Sequence, residues 1–258
     1  MKLFLEHKQF GWGIRKTAVL TAAIASLGFA SASWAVNIEL NYQGFVNGSK
    51  SGNITTPLNG GVGAGEFKFN VLSGGGGEWN NSLQAFCIDI NHWLVTGRNV
   101  TYDIAPANLT GLQLSQVSWL FDNHFNDLGT NKNDAAFQLT LWEIFFEGDN
   151  LRNLSDGTFK ATTDFDGARA LADTWLTGSN GKPGIASIPN NYVSDTWEFY
   201  KLTPVSPMNN QALLTWREKP RDPREVSEPG TLLLLSLGLG AVFFCTRRYS
   251  NTHFSSFA

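Results

Sequence analysis

The sequence predicts an α+β domain: an antiparallel sandwich-like or barrel-like sheet with about three inserted helices, between an N-terminal signal helix and a C-terminal hydrophobic helix. Three observations lead there. Several segments alternate apolar and polar residues with the period of a strand. Others repeat apolar residues with the period of a helix. Charged residues make up only 16% of the 258, against roughly 25% in ordinary soluble domains, while 26 glycines supply turns. That balance argues against a helical bundle. Hydrophobic residues at 42% provide for a sizeable core, and a net charge of −3 leaves no electrostatic footprint for nucleic acid, so no DNA or RNA partner is expected.

In chain order, residues 1–35 read as a signal peptide. Lys2, Lys8, Arg15 and Lys16 precede an apolar run from Ala18 to Ala32, and Ser33-Trp34-Ala35 offers a cleavage site at Ala35. The long basic region contains Glu6, Phe10 and Trp12, which makes an uncleaved anchor helix the rival reading. Both readings place residues 36–220 outside the cytoplasm. This exported domain carries 11 basic and 18 acidic side chains, a net charge of −7 that makes an acidic polysaccharide a poor partner. Strands are predicted over 36–46, 65–72, 83–95 and 99–105. Leu114, Val117, Leu120, Phe121 and Phe125 mark a first helix, and Ala136, Leu139, Trp142, Ile144, Phe145 and Phe146 a second. Ala168, Leu171, Ala172 and Trp175 mark a third, after which strands return over 196–202 and 212–218.

Prolines 220, 223 and 229, among Arg221, Asp222, Arg224 and Glu225, mark a linker over 221–230. The hydrophobic helix expected over 231–246 is uncharged, and Arg247 and Arg248 follow at once, which orients the domain outward. Its 16 residues fall short of the about 20 that cross a hydrocarbon core, so it is a short anchor. A polar tail, 251–258, ends the chain. Residues 226–250, VSEPGTLLLLSLGLGAVFFCTRRYS, resemble the PEP-CTERM sorting signal of Gram-negative bacteria: Glu228 and Pro229, then an apolar helix, then Arg247 and Arg248. Ser227 stands where that family's first proline is expected. The resemblance implies an exosortase-type processing enzyme as partner, transient or stable anchoring in the inner membrane, and a destination at the cell surface or in the extracellular matrix of a biofilm.

Several familiar motifs fail. The Gly60 to Gly65 run (GGVGAG) lacks dinucleotide spacing and a following Lys-Ser/Thr, and reads as a flexible turn. Asp122, His124 and Asn126 mimic the start of a calcium loop, but Asp127 stands where Gly is needed, leaving a polar inter-helix loop. His92, His124 and Glu143 lack the spacing of a zinc site, and no serine lies in a GxSxG elbow. The expectation is a non-enzymatic protein without metal or cofactor.

Of the two cysteines, Cys87 lies in the exported domain and Cys245 in the apolar tail, so no structural disulfide is expected. A lone thiol in an oxidising compartment has to be buried or consumed. The segments AFCID (85–89) and AFQLTLWEI (136–144) resemble the two signature segments of bacterial thioester domains, with Cys87 and Gln138 at the paired positions. The resemblance implies that the Cys87 sulfur condenses with the Gln138 carboxamide, releasing ammonia and leaving an acyl thioester open to an amine- or hydroxyl-bearing surface target. Their separation of 51 positions is short for that family, and Phe137 replaces its commoner threonine. On a regular strand Phe86 and Ile88 face away from Cys87, while Leu141 and Trp142 share the helix face near Gln138 and supply a hydrophobic lid. Asp89, His92 and Glu143 are candidates to assist proton transfer. The alternative is a buried structural cysteine in a passive surface protein, or in one whose nine Trp and nineteen Phe bind extracellular polysaccharide non-covalently.

Overall fold

The computed structural model describes residues 36–55, 59–77, 79–147 and 153–220. The signal segment ending at Ala35, the linker 221–230, the sorting signal with Glu228, Pro229, Arg247 and Arg248, and both terminal helices expected from the sequence lie outside the described residues. Among the described residues no helix is long and apolar enough to cross a membrane.

The first half is β-rich: β1 (Val36–Phe45), β2 (Lys50–Thr55), β3 (Gly60–Ala64), β4 (Phe67–Gly74), β5 (Ser82–Cys87) and β6 (Asn99–Pro106). The helices α1 (Gly111–His124) and α2 (Asn131–Phe146) follow, then β7 (Lys160–Ala161) and α3 (Ala168–Thr177). Two short strands, β8 (Gly178–Ser179) and β9 (Lys182–Pro183), precede the closing hairpin of β10 (Trp197–Ser206) and β11 (Leu213–Glu218). Six strands close into an antiparallel barrel in the order β1-β4-β5-β11-β10-β6, and β3-β2-β7 form a separate sheet. The α+β class and the three helices among the described residues agree with the sequence, and the sheet is a closed barrel.

Register assigns the faces, because residues directly opposite in a ladder point the same way. Ile38 pairs with Tyr102, Leu40 with Val100, Leu202 with both Ile104 and Leu213, and Leu213 with Cys87. All are buried and line the barrel interior. On the outer face Phe86 pairs with Leu214, and Phe199 with Trp216. The helices cover that face: Phe137 of α2 stacks on Phe86 at 4.8 Å, and Phe121 of α1 meets Phe199 and Trp216 at 4.9 and 5.2 Å. Strand β5 is therefore buried on both sides, which explains why Ala85-Phe86-Cys87 is an uninterrupted apolar run.

Each long helix has its own start signal. Thr110 caps α1 in a reciprocal capping box with Gln113, and the Thr130 hydroxyl accepts from the Asn133 N–H at the start of α2. Asp122 of α1 accepts hydrogen bonds from the Tyr192 hydroxyl (2.8 Å) and the Ser194 hydroxyl (2.6 Å), so this residue of the calcium-like segment pins the chain that enters β10.

Two expectations are corrected. The strand expected over 83–95 ends at Cys87: the Ile88 N–H makes a last bond to the Ala212 carbonyl, and then the Asp89 carboxylate accepts from the Asn91 N–H and turns the chain. Gly60–Gly65 is not a flexible turn, since residues 60–64 are strand β3, paired residue by residue with β2. In the neighbouring strand a glycine serves close packing: a Cβ at Gly52 of β2 would lie 2.5 Å from the Phe165 ring.

Glu66, between β3 and β4, is 4% exposed. Burial and the neighbouring Asp134 push its carboxyl up to about 8 from an ordinary 4.5. A carboxyl whose value is raised by folding contributes stability that is present below about 4.5 and lost as pH rises through about 8. His124, which burial against the Trp119 and Trp175 rings holds below its ordinary value, acts oppositely, weakening the fold as pH falls. The Glu66→Gln variant isolates the first effect. Relative to it, the wild type is expected to lose roughly 1.4 kcal/mol per pH unit across that window. Thermal melts of both proteins from pH 5 to 9 check this, and parallel curves would contradict it.

Candidate functional site

The structure brings Cys87 and Gln138 together. Both are fully buried. The β4 ladder on β5 ends at the Phe67–Ala85 pair, so the Cys87 N–H and C=O, which point to the β4 side, have no strand partner there. The Gln138 side chain takes its place. Its Oε1 accepts from the Cys87 N–H at 2.9 Å, and its Nε2 donates to the Cys87 carbonyl at 2.8 Å. One carboxamide thus completes the edge of a strand, with both polar ends satisfied in a buried site. The α2 helix can supply it because Phe137, one position earlier, stacks on Phe86 and sets the helix against β5.

The Cys87 side chain faces the barrel interior, and its Sγ lies 3.3 Å from the Asp89 carbonyl, to which it donates. Burial pushes the thiol up to about 12, although Trp142 and the Asp89 backbone pull the other way. The indole N–H of Trp142 acts on the sulfur in this way without a hydrogen bond of ordinary geometry to any acceptor. At neutral pH the site therefore holds an uncharged S–H. Tyr102 is a second polar group on this interior face. Burial, with the neighbouring Cys87, raises its phenol, and its oxygen accepts from Asn210 Nδ2 at 2.7 Å. The Asn210 Oδ1 accepts from the Val95 N–H at 2.7 Å and so ties the 88–98 turn over the barrel end.

The residues expected to assist have partners of their own. Asp89 and His92 pair with each other, Oδ2 to Nδ1 at 2.8 Å, with the His92 side chain 47% exposed. The backbone carbonyl of Asp89 accepts from the thiol, while its carboxylate acts on the thiol through space and raises it. Glu143 is buried in α2, and its Oε1 accepts from the Asn153 N–H, which anchors the segment after α2. Trp142 is 3% exposed and stands one helical turn beyond Gln138 on α2. Leu141 is fully buried in the same helix.

Sequence reasoning missed Tyr102 and Asn210. Tyr102 carried a signal, because in NVTYDIA it occupies the inward phase with Val100 and Ile104. Asn210 carried none, since it comes from the turn between β10 and β11. Among the described residues no three His, Cys, Asp or Glu side chains are gathered as a metal site would need. His124 pairs instead with Asp127 at 2.8 Å and stacks on Trp175 at 4.4 Å.

Chemically, the arrangement bonds a carboxamide to the backbone of the residue that carries the thiol. If the sulfur attacks Gln138 Cδ, the Cys87 N–H already on Oε1 stabilises the oxyanion that develops there. Comparison of the chain with protein-family models, with curated proteins and with solved structures finds no match.

Proposed function

We propose that this is an exported bacterial surface or extracellular-matrix protein, sorted through its PEP-CTERM-like tail, that attaches covalently to a surface through an internal thioester between Cys87 and Gln138. The observation that carries the thioester is the two-point bond between the Gln138 carboxamide and the Cys87 backbone. It fixes the acyl carbon beside the nucleophile's own residue at no entropic cost at the moment of reaction. In the condensation the Cys87 S–C bond forms, the Gln138 C–N bond breaks, and the thiol proton leaves with the amide nitrogen as ammonia. The step needs no permanent thiolate, which suits a thiol that burial keeps neutral. The resulting acyl sulfur carries no charge in a site that disfavours charge, and the surrounding apolar residues keep water from it. The sorting half of the proposal rests on the order Glu228-Pro229, apolar helix, Arg247-Arg248.

A second reading has its own support. Gln138 bonds the backbone of Cys87 while the sulfur is turned to the Asp89 carbonyl, which is what a carboxamide that merely closes a strand edge would also do. Intact-mass measurement of the purified chain beside its Cys87→Ala variant separates the two. The thioester makes the wild type lighter by one ammonia than the variant's mass and the substitution require. Under denaturing titration both proteins then show the same number of thiols, that of Cys245 alone. Full mass and one additional thiol in the wild type would overturn the thioester and leave Cys87 as a core residue.

A further inference from the structure

A cleft of about 180 Å³ opens between the β2–β3 hairpin and the turn that follows β5. Tyr42, Phe45, Phe67, Trp93 and Trp142 form its aromatic walls. Trp142 is shared with the thiol site: its ring lines the cleft, and it stands one helical turn beyond Gln138 on α2. Two features mark the cleft as a place for a ligand. Gln211 lines it, is 9% exposed, and its buried Oε1 has no hydrogen-bond partner. An orphaned buried acceptor costs about 1–3 kcal/mol, which a donor on a ligand would recover. Trp93, at the rim, is 61% exposed, a flat apolar surface turned to solvent.

The chemistry of the lining selects among ligands. Among the described lining residues none is an Asp, Glu, Lys or Arg, and His92 is already bonded to Asp89. A protonated amine would enter without a carboxylate to receive it, and burying that charge unpaired is costly. An anion would meet no guanidinium or ammonium. A neutral ring with an apolar C–H face and hydroxyl edges fits each feature: the face lies on Trp93, and a hydroxyl donates to Gln211 Oε1 as that side chain turns from its buried position toward the cleft. We infer that the cleft binds a pyranose unit of an uncharged saccharide and delivers one of its hydroxyls, rather than an amine, past Trp142 to the acyl site. The delivery half rests on the thioester proposed above, while the binding half does not. In the acyl transfer the hydroxyl oxygen bonds to the Gln138 acyl carbon, the C–S bond breaks, and the hydroxyl proton passes to sulfur, which restores the Cys87 thiol and leaves an ester.

The test uses the full chain carrying Cys87→Ala, in which no acyl chemistry occurs. Methyl glucopyranoside, methyl galactopyranoside and methyl N-acetylglucosaminide are titrated against it, with n-butylamine as the amine probe and p-cresol as a mimic of an aromatic protein side chain. Tryptophan fluorescence and the indole N–H resonances of Trp93 and Trp142 report binding. At least one glycoside is expected to bind with a dissociation constant of roughly millimolar order and to shift both indoles. Trp93→Ala and Gln211→Leu are each expected to weaken it about tenfold, and circular dichroism confirms that each variant is folded. Binding of butylamine or cresol without any glycoside would overturn the inference, as would glycoside binding that neither substitution weakens. The wild-type mass reports the thioester separately: glycoside binding without the ammonia deficit sinks the acyl site and keeps the saccharide cleft, and a deficit without glycoside binding sinks the cleft alone.

Discussion

In a Cys87→Ala background, Gln138→Leu is expected to lower the unfolding free energy by about 3–5 kcal/mol, or the melting temperature by about 6–20 °C for a domain of this size. The Cys87→Ala background removes any thioester, so the measurement reads the carboxamide alone. Leucine fills much of the glutamine's volume but bonds neither the N–H nor the C=O of residue 87, and both groups are buried where β4 has already left the ladder. Each unsatisfied group costs about 1–3 kcal/mol. Hydrogen exchange localises the effect: the residue-87 amide is protected in the Cys87→Ala protein and is expected to exchange faster in the double variant even where neighbouring amides of β5 do not. A loss below about 1 kcal/mol with unchanged protection would mean that Gln138 does not complete the strand edge.

Phe121→Ala is expected to be as damaging, through a different mechanism. Its ring, 1% exposed, lies within 5.5 Å of those of Phe125, Phe137, Phe199 and Trp216, and so joins α1, α2 and the outer face of β10 and β11. Truncation removes the shared contact of four aromatic neighbours and leaves a cavity they cannot fill without losing their own packing, at a cost of about 3–5 kcal/mol. Phe121→Leu, which keeps part of the volume, is expected to cost less than half as much. Chemical denaturation of both variants checks the order. Because Phe137 is one of those neighbours and precedes Gln138, Phe121→Ala is also expected to loosen the carboxamide's bonds to Cys87, visible as faster exchange of the Cys87 amide.

Much of the fold was legible because it follows from local periodicity. The alternation in VNIELNYQGFV and NVTYDIA belongs to strands with one face in the barrel, and the apolar spacing from Leu114 to Phe125 and from Ala136 to Phe146 belongs to two helices. Where local signals misled, a non-local contact had intervened. The segment from Gly60 to Ala64 carries the composition of a turn, yet it is a strand because β2 pairs with it residue by residue. The apolar run through Ile90 continues past β5 because Ile88 and Ile90 remain buried after the ladder has ended.

The sequence alone determined the order of the main strands and helices and the single cysteine of residues 36–220, because residue identity and short-range spacing carry that information, while the choice of Cys87 and Gln138 as chemical candidates came from the resemblance of their segments to thioester domains. Tertiary structure decided what those residues meet. Closure of six strands turns Cys87 inward beside Tyr102, and the early end of β4 frees a strand edge that a helix side chain can occupy. It also commits Glu143 Oε1 to the Asn153 N–H and puts Trp142, one helical turn beyond Gln138, in the wall of an aromatic cleft. These relations depend on ladder register and helix docking across 51 positions of chain, distances over which no periodicity in the sequence extends.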